Sequence, residues 1–216
     1  PQGRLREESI VEEYQHLVDE AVRLQLRSDV PLGLFLSSGV DSSTLLAIMA
    51  KHSSQPVRTF TIGFEGGETT NEVKGAREVA ERFGAIHHHQ IIGPADYIAY
   101  YDRYMNDLEE PVGNESAAAF YFVARLASES VKVTLTGQGV DEPWAGYDRY
   151  KGLQLSRLLE RLPRAMLTGM RKAGELFPAK WERLSRGLEA LGEPDLLTRI
   201  AKVHSFFSVE MKKRLY

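Results

Sequence analysis

The chain contains no cysteine among its 216 residues. This absence excludes disulfide bonds, a cysteine nucleophile and a metal site built on thiolates. No apolar run approaches the roughly 18 residues that a membrane-spanning helix requires, and no signal peptide is visible at its start. Internal repeats, low-complexity tracts and coiled-coil heptads are absent as well. We therefore expect a cytoplasmic globular protein that has no membrane partner.

Charge is distributed unevenly along the chain, although the hydrophobic content of 43% is ordinary for a globular protein. Residues 1–150 carry 13 Lys and Arg against 23 Asp and Glu, a net charge of −10. Residues 151–216 carry 14 against 7, a net charge of +7. Because these basic residues are interspersed, we interpret them as solvated helix faces. The acidic first part predicts no nucleic-acid partner.

Strand and helix patterns alternate up to about residue 150. Runs rich in β-branched and aromatic residues predict strands at 30–35, 57–64, 85–92 and 131–136. Helical spacing predicts helices at 7–28, 44–50, 71–83, 94–108 and 115–129. This alternation predicts right-handed crossovers and a parallel sheet. The later pattern is entirely helical, over 151–162, 164–176, 179–191, 194–207 and 209–215.

An octet of small and polar residues follows the first predicted strand: Leu36-Ser37-Ser38-Gly39-Val40-Asp41-Ser42-Ser43. Glycine and serine let backbone N–H groups approach an anion, and the dipole of the next helix favours negative charge there. Asp41 would repel a bare phosphate, so its presence favours a divalent cation between carboxylate and phosphate. The octet therefore predicts a site for Mg²⁺-pyrophosphate. A helix cap without a ligand is the alternative.

A second glycine-rich and acidic loop follows the fourth predicted strand: Thr136-Gly137-Gln138-Gly139-Val140-Asp141-Glu142. Ligands of parallel sheets bind beyond the carboxyl ends of the strands. Two such loops, each at a strand end, predict a bipartite site.

Four segments occur in the order found in the synthetase domain of asparagine synthetases: Leu36–Ser43, Thr59–Phe64, Glu110-Pro111 and Leu135–Tyr147. The first resembles the pyrophosphate loop (PP-loop), Ser-Gly-Gly-x-Asp-Ser, of ATP pyrophosphatases, with Ser38 where the first glycine is usual. The resemblance implies an α/β fold with a parallel sheet over residues 1–150. This fold is the Rossmann-like PP-loop ATPase domain, which is also called adenine nucleotide alpha-hydrolase-like. It further implies a C-terminal helical extension over residues 151–216, which we expect to be truncated.

The resemblance also implies a reaction, the ATP-dependent amidation of a carboxylate by way of an acyl-adenylate, with release of AMP and pyrophosphate. Conversion of aspartate to asparagine is the first expectation. The implied small molecules are ATP, Mg²⁺, an aspartate-like carboxylate and ammonia. A glutaminase domain or subunit, absent from this chain, and a homodimer are the implied protein partners.

Site residues follow from matching positions in the family motifs. Asp41 and Asp141 are implied to hold Mg²⁺ against the pyrophosphate, and Gln138 stands where the family has a glutamate implicated in forming the acyl-adenylate. Contacts to pyrophosphate, adenine and ribose are implied for Leu36, Ser37, Ser38, Gly39, Val40, Ser42, Ser43, Ile62, Thr136 and Gly137. The later catalytic lysine of the family has no assigned position here.

Three alternatives stay open. Glutamine keeps hydrogen bonding but lacks the charge of glutamate, so Gln138 is compatible with a relative that acts on another carboxylate, as β-lactam synthetases do. A non-catalytic nucleotide-binding or assembly module is the second alternative. A tRNA-modifying or NAD-forming pyrophosphatase is the third, although it would share only the first loop.

Other conspicuous residues have structural interpretations. Alternation along a strand places His87 and His89 on one face and His88 on the other, so the three cannot converge on one ion. The helical spacing of Tyr97, Tyr100, Tyr101 and Tyr104 predicts packing. We expect Trp144 to line a pocket as an apolar wall. Residues 114–116 either cap the next helix or border the substrate pocket.

Overall fold

The computed structural model describes residues 6–66, 69–109, 116–144, 146–147, 150, 163, 165–166, 168–169, 172, 187–188, 190, 192–193 and 195–205. Along these residues the elements are α1 Glu7–Gln25, β1 Leu32–Phe35, α2 Val40–His52, β2 Arg58–Phe64, α3 Thr69–Arg82, β3 Ile86–Ile92, α4 Pro94–Leu108, α5 Ser116–Ser128, β4 Val133–Thr136, α6 Asp141–Trp144 and α7 Leu196–His204. None of the helices in the described parts of the chain is long and apolar enough to cross a bilayer.

The chain divides into two compact units, Pro1–Gln138 and Gly139–Tyr216. The boundary at residue 150 that the sequence indicates stays a prediction. In the second unit, α7 matches the helix predicted over 194–207. The helices predicted at 151–162 and 209–215 lie outside the described residues, as does most of those at 164–176 and 179–191.

The first unit is built on a parallel sheet with strand order β3-β2-β1-β4. β1 lies between two partners, since Leu34 is opposite Thr59 on β2 and opposite Leu135 on β4. β3 pairs with β2 along its whole length, from Ile86 to Ile92. All three pairings are parallel, so the predicted α/β class with a parallel sheet is confirmed.

Both faces of the sheet are covered by apolar helix faces, as a parallel sheet requires. On one face, β1 packs with α1, α2 and α3 through a cluster of Val22, Leu34, Leu36, Leu46, Met49, Val57, Ala76 and Ala80. On the other, Phe60 packs with Val123 and Ala127 of α5, and Phe35 borders that cluster. Leu34 and Phe35 therefore project to opposite faces, as alternation along a strand requires.

The α4 tyrosines pack largely as their spacing predicts. Tyr100 and Tyr104 are buried in a third cluster with Ile92, Ala118 and Phe122, and Tyr97 borders it. Tyr101 instead leaves 65% of its surface exposed. The predicted packing is thus confirmed for Tyr97, Tyr100 and Tyr104, which share one face of the helix, and is wrong for Tyr101, which lies outside that face.

Candidate functional site

The first predicted loop is shorter in the structure than in the sequence pattern. Only Leu36–Gly39 form the turn after β1, because α2 already begins at Val40 rather than at Thr44. Asp41, Ser42 and Ser43 therefore lie in the first turn of α2. Serine and aspartate are common at helix starts because their short polar side chains compete with the backbone elsewhere in a helix.

Hydrogen bonds to β2 fix the point where the chain leaves β1. The Leu36 N–H donates to the Phe60 carbonyl over 2.9 Å. The Thr61 hydroxyl donates to the Leu36 carbonyl. The Leu36 side chain is buried in the core with 3% exposure, so both its backbone groups and its side chain hold the turn in place.

Serine hydroxyls hold the shape of the turn. Ser42 is buried, and its Oγ accepts the Ser37 N–H at 3.1 Å and lies 2.9 Å from Ser37 Oγ. The Gly39 N–H donates to Ser37 Oγ over 3.1 Å. The Ser43 hydroxyl donates to the Gly39 carbonyl over 2.7 Å. These bonds give the three hydroxyls a structural role in the loop, beside the pyrophosphate contact predicted for them.

The N-terminus of α2 keeps its backbone donors available. Its first backbone bond runs from Ser43 N to the Gly39 carbonyl at 3.1 Å. No side chain caps the helix, since Gly39 is the N-cap residue. The N–H groups of Val40, Asp41 and Ser42 precede the first bond, and such groups have no partner inside a helix. They lie at the positive end of a helix dipole, where an anion is favoured.

The end of β4 lies directly against this first turn. Phe35 and Thr136 are opposite one another in the sheet, so the chain leaves β1 and β4 at the same edge. A Cβ added to Gly137 would lie 2.9 Å from Ser42 N and 3.2 Å from both Asp41 C and Asp41 Cβ. The backbone at Gly137 can approach the Asp41–Ser42 peptide this closely because glycine has no side chain.

The rest of the second loop belongs to the second unit. Gly139 has φ 97, a left-handed conformation that favours glycine. Asp141 begins α6, and its carbonyl accepts the Gly146 N–H over 3.0 Å. The Asp141 carboxylate lies so close to Gly146 that a Cβ there would collide with Oδ1. The Tyr147 hydroxyl donates to Glu142 Oε1 over 2.9 Å, which closes this loop on itself.

Exposure separates the predicted contact residues into two groups. Val40 is 80% exposed, and Ser38, Thr136 and Gln138 are also exposed. The side chains of these four are accessible to solvent, whereas Ile62 is half-buried between two apolar clusters. Trp144 leaves 48% of its surface exposed. The predicted loop at 110–115 lies outside the described residues.

The donor set at Asp41 fits a magnesium-bound phosphate. Mg²⁺ in nucleotide sites is held by one or two carboxylates, with phosphate oxygens and water completing its octahedron. Asp41 is half-buried in the same turn as the uncapped N–H groups. In the described stretches no three His, Cys, Asp or Glu side chains converge as a metal site of their own. Asp41 can supply one carboxylate oxygen to such a Mg²⁺ ion.

The three histidines of β3 alternate as predicted. His87 and His89 stack on one face with ring centroids 5.7 Å apart, and His88 stacks on Phe60 on the other face. His87 Nδ1 lies 3.0 Å from the Thr59 hydroxyl. Its Nε2 is buried with no hydrogen-bond partner among the described residues. Burial, followed by the nearby charges of His89 and Arg77, lowers the His87 pKa to about 4.

This depressed pKa predicts acid sensitivity. The unfolded chain binds the proton near the ordinary value of 6.5 and the folded chain only near 4. The free energy of unfolding should therefore fall as the pH drops from about 6.5 toward 4, by about 1–2 kcal/mol after discounting for the exposed part of the ring. Urea titrations of wild type and His87→Phe at pH 7 and 5 test this. Equal losses in both proteins would contradict it.

A four-stranded parallel sheet with helices on both faces, and an uncapped helix N-terminus after its first strand, define an α/β protein. The family model for asparagine synthase matches residues 13–212. The chain belongs to the asparagine synthase family.

Individual relatives agree with the family. The chain is 34% identical over 157 residues to "Asparagine synthetase [glutamine-hydrolyzing] 1" of Bacillus subtilis, covering 73% of this chain and 24% of that protein. It is 34% identical over 172 residues to a putative asparagine synthetase [glutamine-hydrolyzing] 2 of Methanocaldococcus jannaschii, covering 79% and 32%. The chain thus spans about a quarter to a third of the length of these relatives.

Among solved structures, the chain is similar to an NH3-dependent NAD synthetase from Campylobacter jejuni, with a TM-score of 0.46 and 12% identity. The similarity covers 92% of this chain and 98% of that one.

Proposed function

We propose that this chain is the adenylating part of an ATP-dependent amidating enzyme that converts aspartate to asparagine. The observation that carries the proposal is the contact between Gly137 and the Asp41–Ser42 peptide. It places the end of β4 beside the uncapped donors of α2, in a chain that matches the family over residues 13–212. The relatives carry the name of glutamine-hydrolysing asparagine synthetases.

In the proposed reaction the substrate carboxylate attacks the α-phosphorus of ATP, and ammonia then displaces AMP from the acyl-adenylate. A carboxylate is already a nucleophile, so the protein must supply positioning and charge stabilisation rather than a base. The N–H groups of Val40, Asp41 and Ser42 would bind pyrophosphate oxygens. Asp41 would hold Mg²⁺, which would offset the charge of the departing pyrophosphate. By its place in the motif, Asp141 is assigned the same role.

The remaining assignments follow from the family motif. Thr136 ends β4 and Gln138 lies two residues beyond it, both with exposed side chains. By their places in the motif, we assign Thr136 to the nucleotide and Gln138 to the region of the acyl-adenylate. A cytoplasmic location, a glutaminase partner that supplies ammonia, and a homodimer belong to the same proposal.

ATP–pyrophosphate exchange tests the reaction. Labelled pyrophosphate should enter ATP only when a carboxylate substrate is present, because the exchange requires a reversible acyl-adenylate. Aspartate should support exchange better than glutamate, which is one methylene longer. Mg-ATP binding without exchange on any carboxylate would favour a non-catalytic nucleotide-binding module instead.

Gln138 is the observation that favours a second candidate function. A neutral amide stands where the family uses a glutamate, and in this structure its side chain is exposed at the end of β4. A β-lactam-synthetase-like enzyme would act on another carboxylate at the same nucleotide site. Exchange supported by a larger carboxylate and not by aspartate would select this candidate.

A further inference from the structure

The PP-loop has a second neighbour besides β4, the helix α3. A Cβ added to Gly75 of α3 would lie 2.7 Å from Ser38 Cβ, 3.6 Å from Ser38 Oγ and 3.9 Å from Ser38 Cα. The closest atom is the Cβ, which moves only with the backbone and cannot swing aside by rotation about χ1. The loop therefore packs on the bare backbone of α3 at Gly75.

Helix α3 is held firmly where this contact occurs. Val73, Ala76 and Ala80 leave 7%, 0% and 0% of their surface exposed, and α3 packs on β2 and β3. Ser38 itself is exposed, and the serine hydroxyl bonds that hold the turn run between its neighbours. A side chain at position 75 would consequently displace the loop rather than the helix.

We propose that Gly75 is a positioning residue for the PP-loop, and that it accommodates the serine at position 38, where the family motif usually has glycine. The pair sets how far the loop stands from α3, and thus where the N–H groups of the first turn of α2 meet a phosphate. This inference rests on the proposed function, because it assigns Gly75 to the same nucleotide site.

A double-mutant cycle tests the pair. Gly75→Ala should weaken Mg-ATP binding about tenfold, since small misplacements of binding groups have large effects. Its melting temperature should change little, because the higher helix propensity of alanine offsets part of the cost of displacing an exposed loop. Ser38→Gly removes the atom that the new methyl meets, leaving only Ser38 Cα at 3.9 Å. The double variant should therefore bind within about twofold of Ser38→Gly alone.

Gly187→Ala is the matched control, because no atom of the described residues lies within 4 Å of the added methyl in that helical position. Calorimetric titration with Mg-ATP and thermal melting of all five proteins give the two readouts. Affinity in Gly75→Ala equal to that in Gly187→Ala would overturn the proposal. A double variant that binds as weakly as Gly75→Ala would overturn it as well.

Amide hydrogen exchange of residues 36–43, measured without nucleotide, separates this inference from the proposed function. Gly75→Ala should alter exchange in that segment, and the added Ser38→Gly should restore it. If the wild-type chain does not bind Mg-ATP, the proposed function fails, and the exchange pattern still decides the positioning role. Unchanged exchange in Gly75→Ala would then refute it.

Discussion

Asp41→Asn should lower the affinity for Mg-ATP on the order of 100-fold, or about 2.7 kcal/mol. The substitution keeps the size of the side chain and removes the charge that would face Mg²⁺ in the first turn of α2. With EDTA in place of Mg²⁺, Asp41→Asn should bind ATP more tightly than wild type, because a carboxylate repels free ATP and an amide does not. Calorimetric titrations of both proteins under both conditions measure this change of sign.

A purely structural role for Asp41 predicts a different result. An acidic residue in the first turn stabilises a helix by about 0.3–1 kcal/mol through the dipole, whether or not a ligand is present. Glu8→Gln is the control, since Glu8 is an exposed acidic residue in the first turn of α1. If Asp41→Asn loses only as much stability as Glu8→Gln and binds Mg-ATP normally, Asp41 is a helix-stabilising residue and the magnesium assignment is wrong.

Local patterns in the sequence were sufficient to predict most elements of the first unit. The helix predicted over 71–83 ends as expected, with Gly84 at φ 64 after α3. The strand predicted over 57–64 is observed as Arg58–Phe64. The start of α2 was placed too late, because Val40–Ser43 have the composition of a loop. Those residue types suit a first helical turn equally well, and composition alone does not separate the two.

Contacts between distant segments could not be predicted from the sequence pattern. Hydrophobic alternation predicts strands, whereas the order β3-β2-β1-β4 depends on which strands pair. That order places β4 beside β1 and brings Gly137 against Ser42. The hydrogen bond from the Thr61 hydroxyl to Leu36 could not be predicted either, because a threonine in a strand pattern is ordinary. Gly75 gave one weak signal, a glycine inside a helical pattern, which often marks close packing.

Gly137→Ala should weaken both nucleotide binding and folding. The new methyl would lie 2.9 Å from Ser42 N, and a main-chain atom cannot move aside as the end of a long side chain can. Ser42 is itself tied to Ser37 by its buried hydroxyl. The first turn of α2 must therefore shift away from β4, or β4 must shift in the sheet. We expect a loss of about 1–3 kcal/mol in the free energy of unfolding, as for other overpacked sites.

Mg-ATP affinity, measured per folded molecule, should fall by about 10- to 100-fold, because the shift moves the N–H groups that would meet the phosphate. Gly33→Ala separates this effect from simple destabilisation. Its methyl would lie 2.6 Å from Phe60 Cε2 and 3.1 Å from the Arg58 carbonyl, within the sheet and away from the turn. It should cost similar stability in urea titrations while leaving the affinity of the folded protein near that of wild type. Equal losses of affinity in the two variants would show that binding follows overall stability, and the contact at Gly137 would then have no special role in the site.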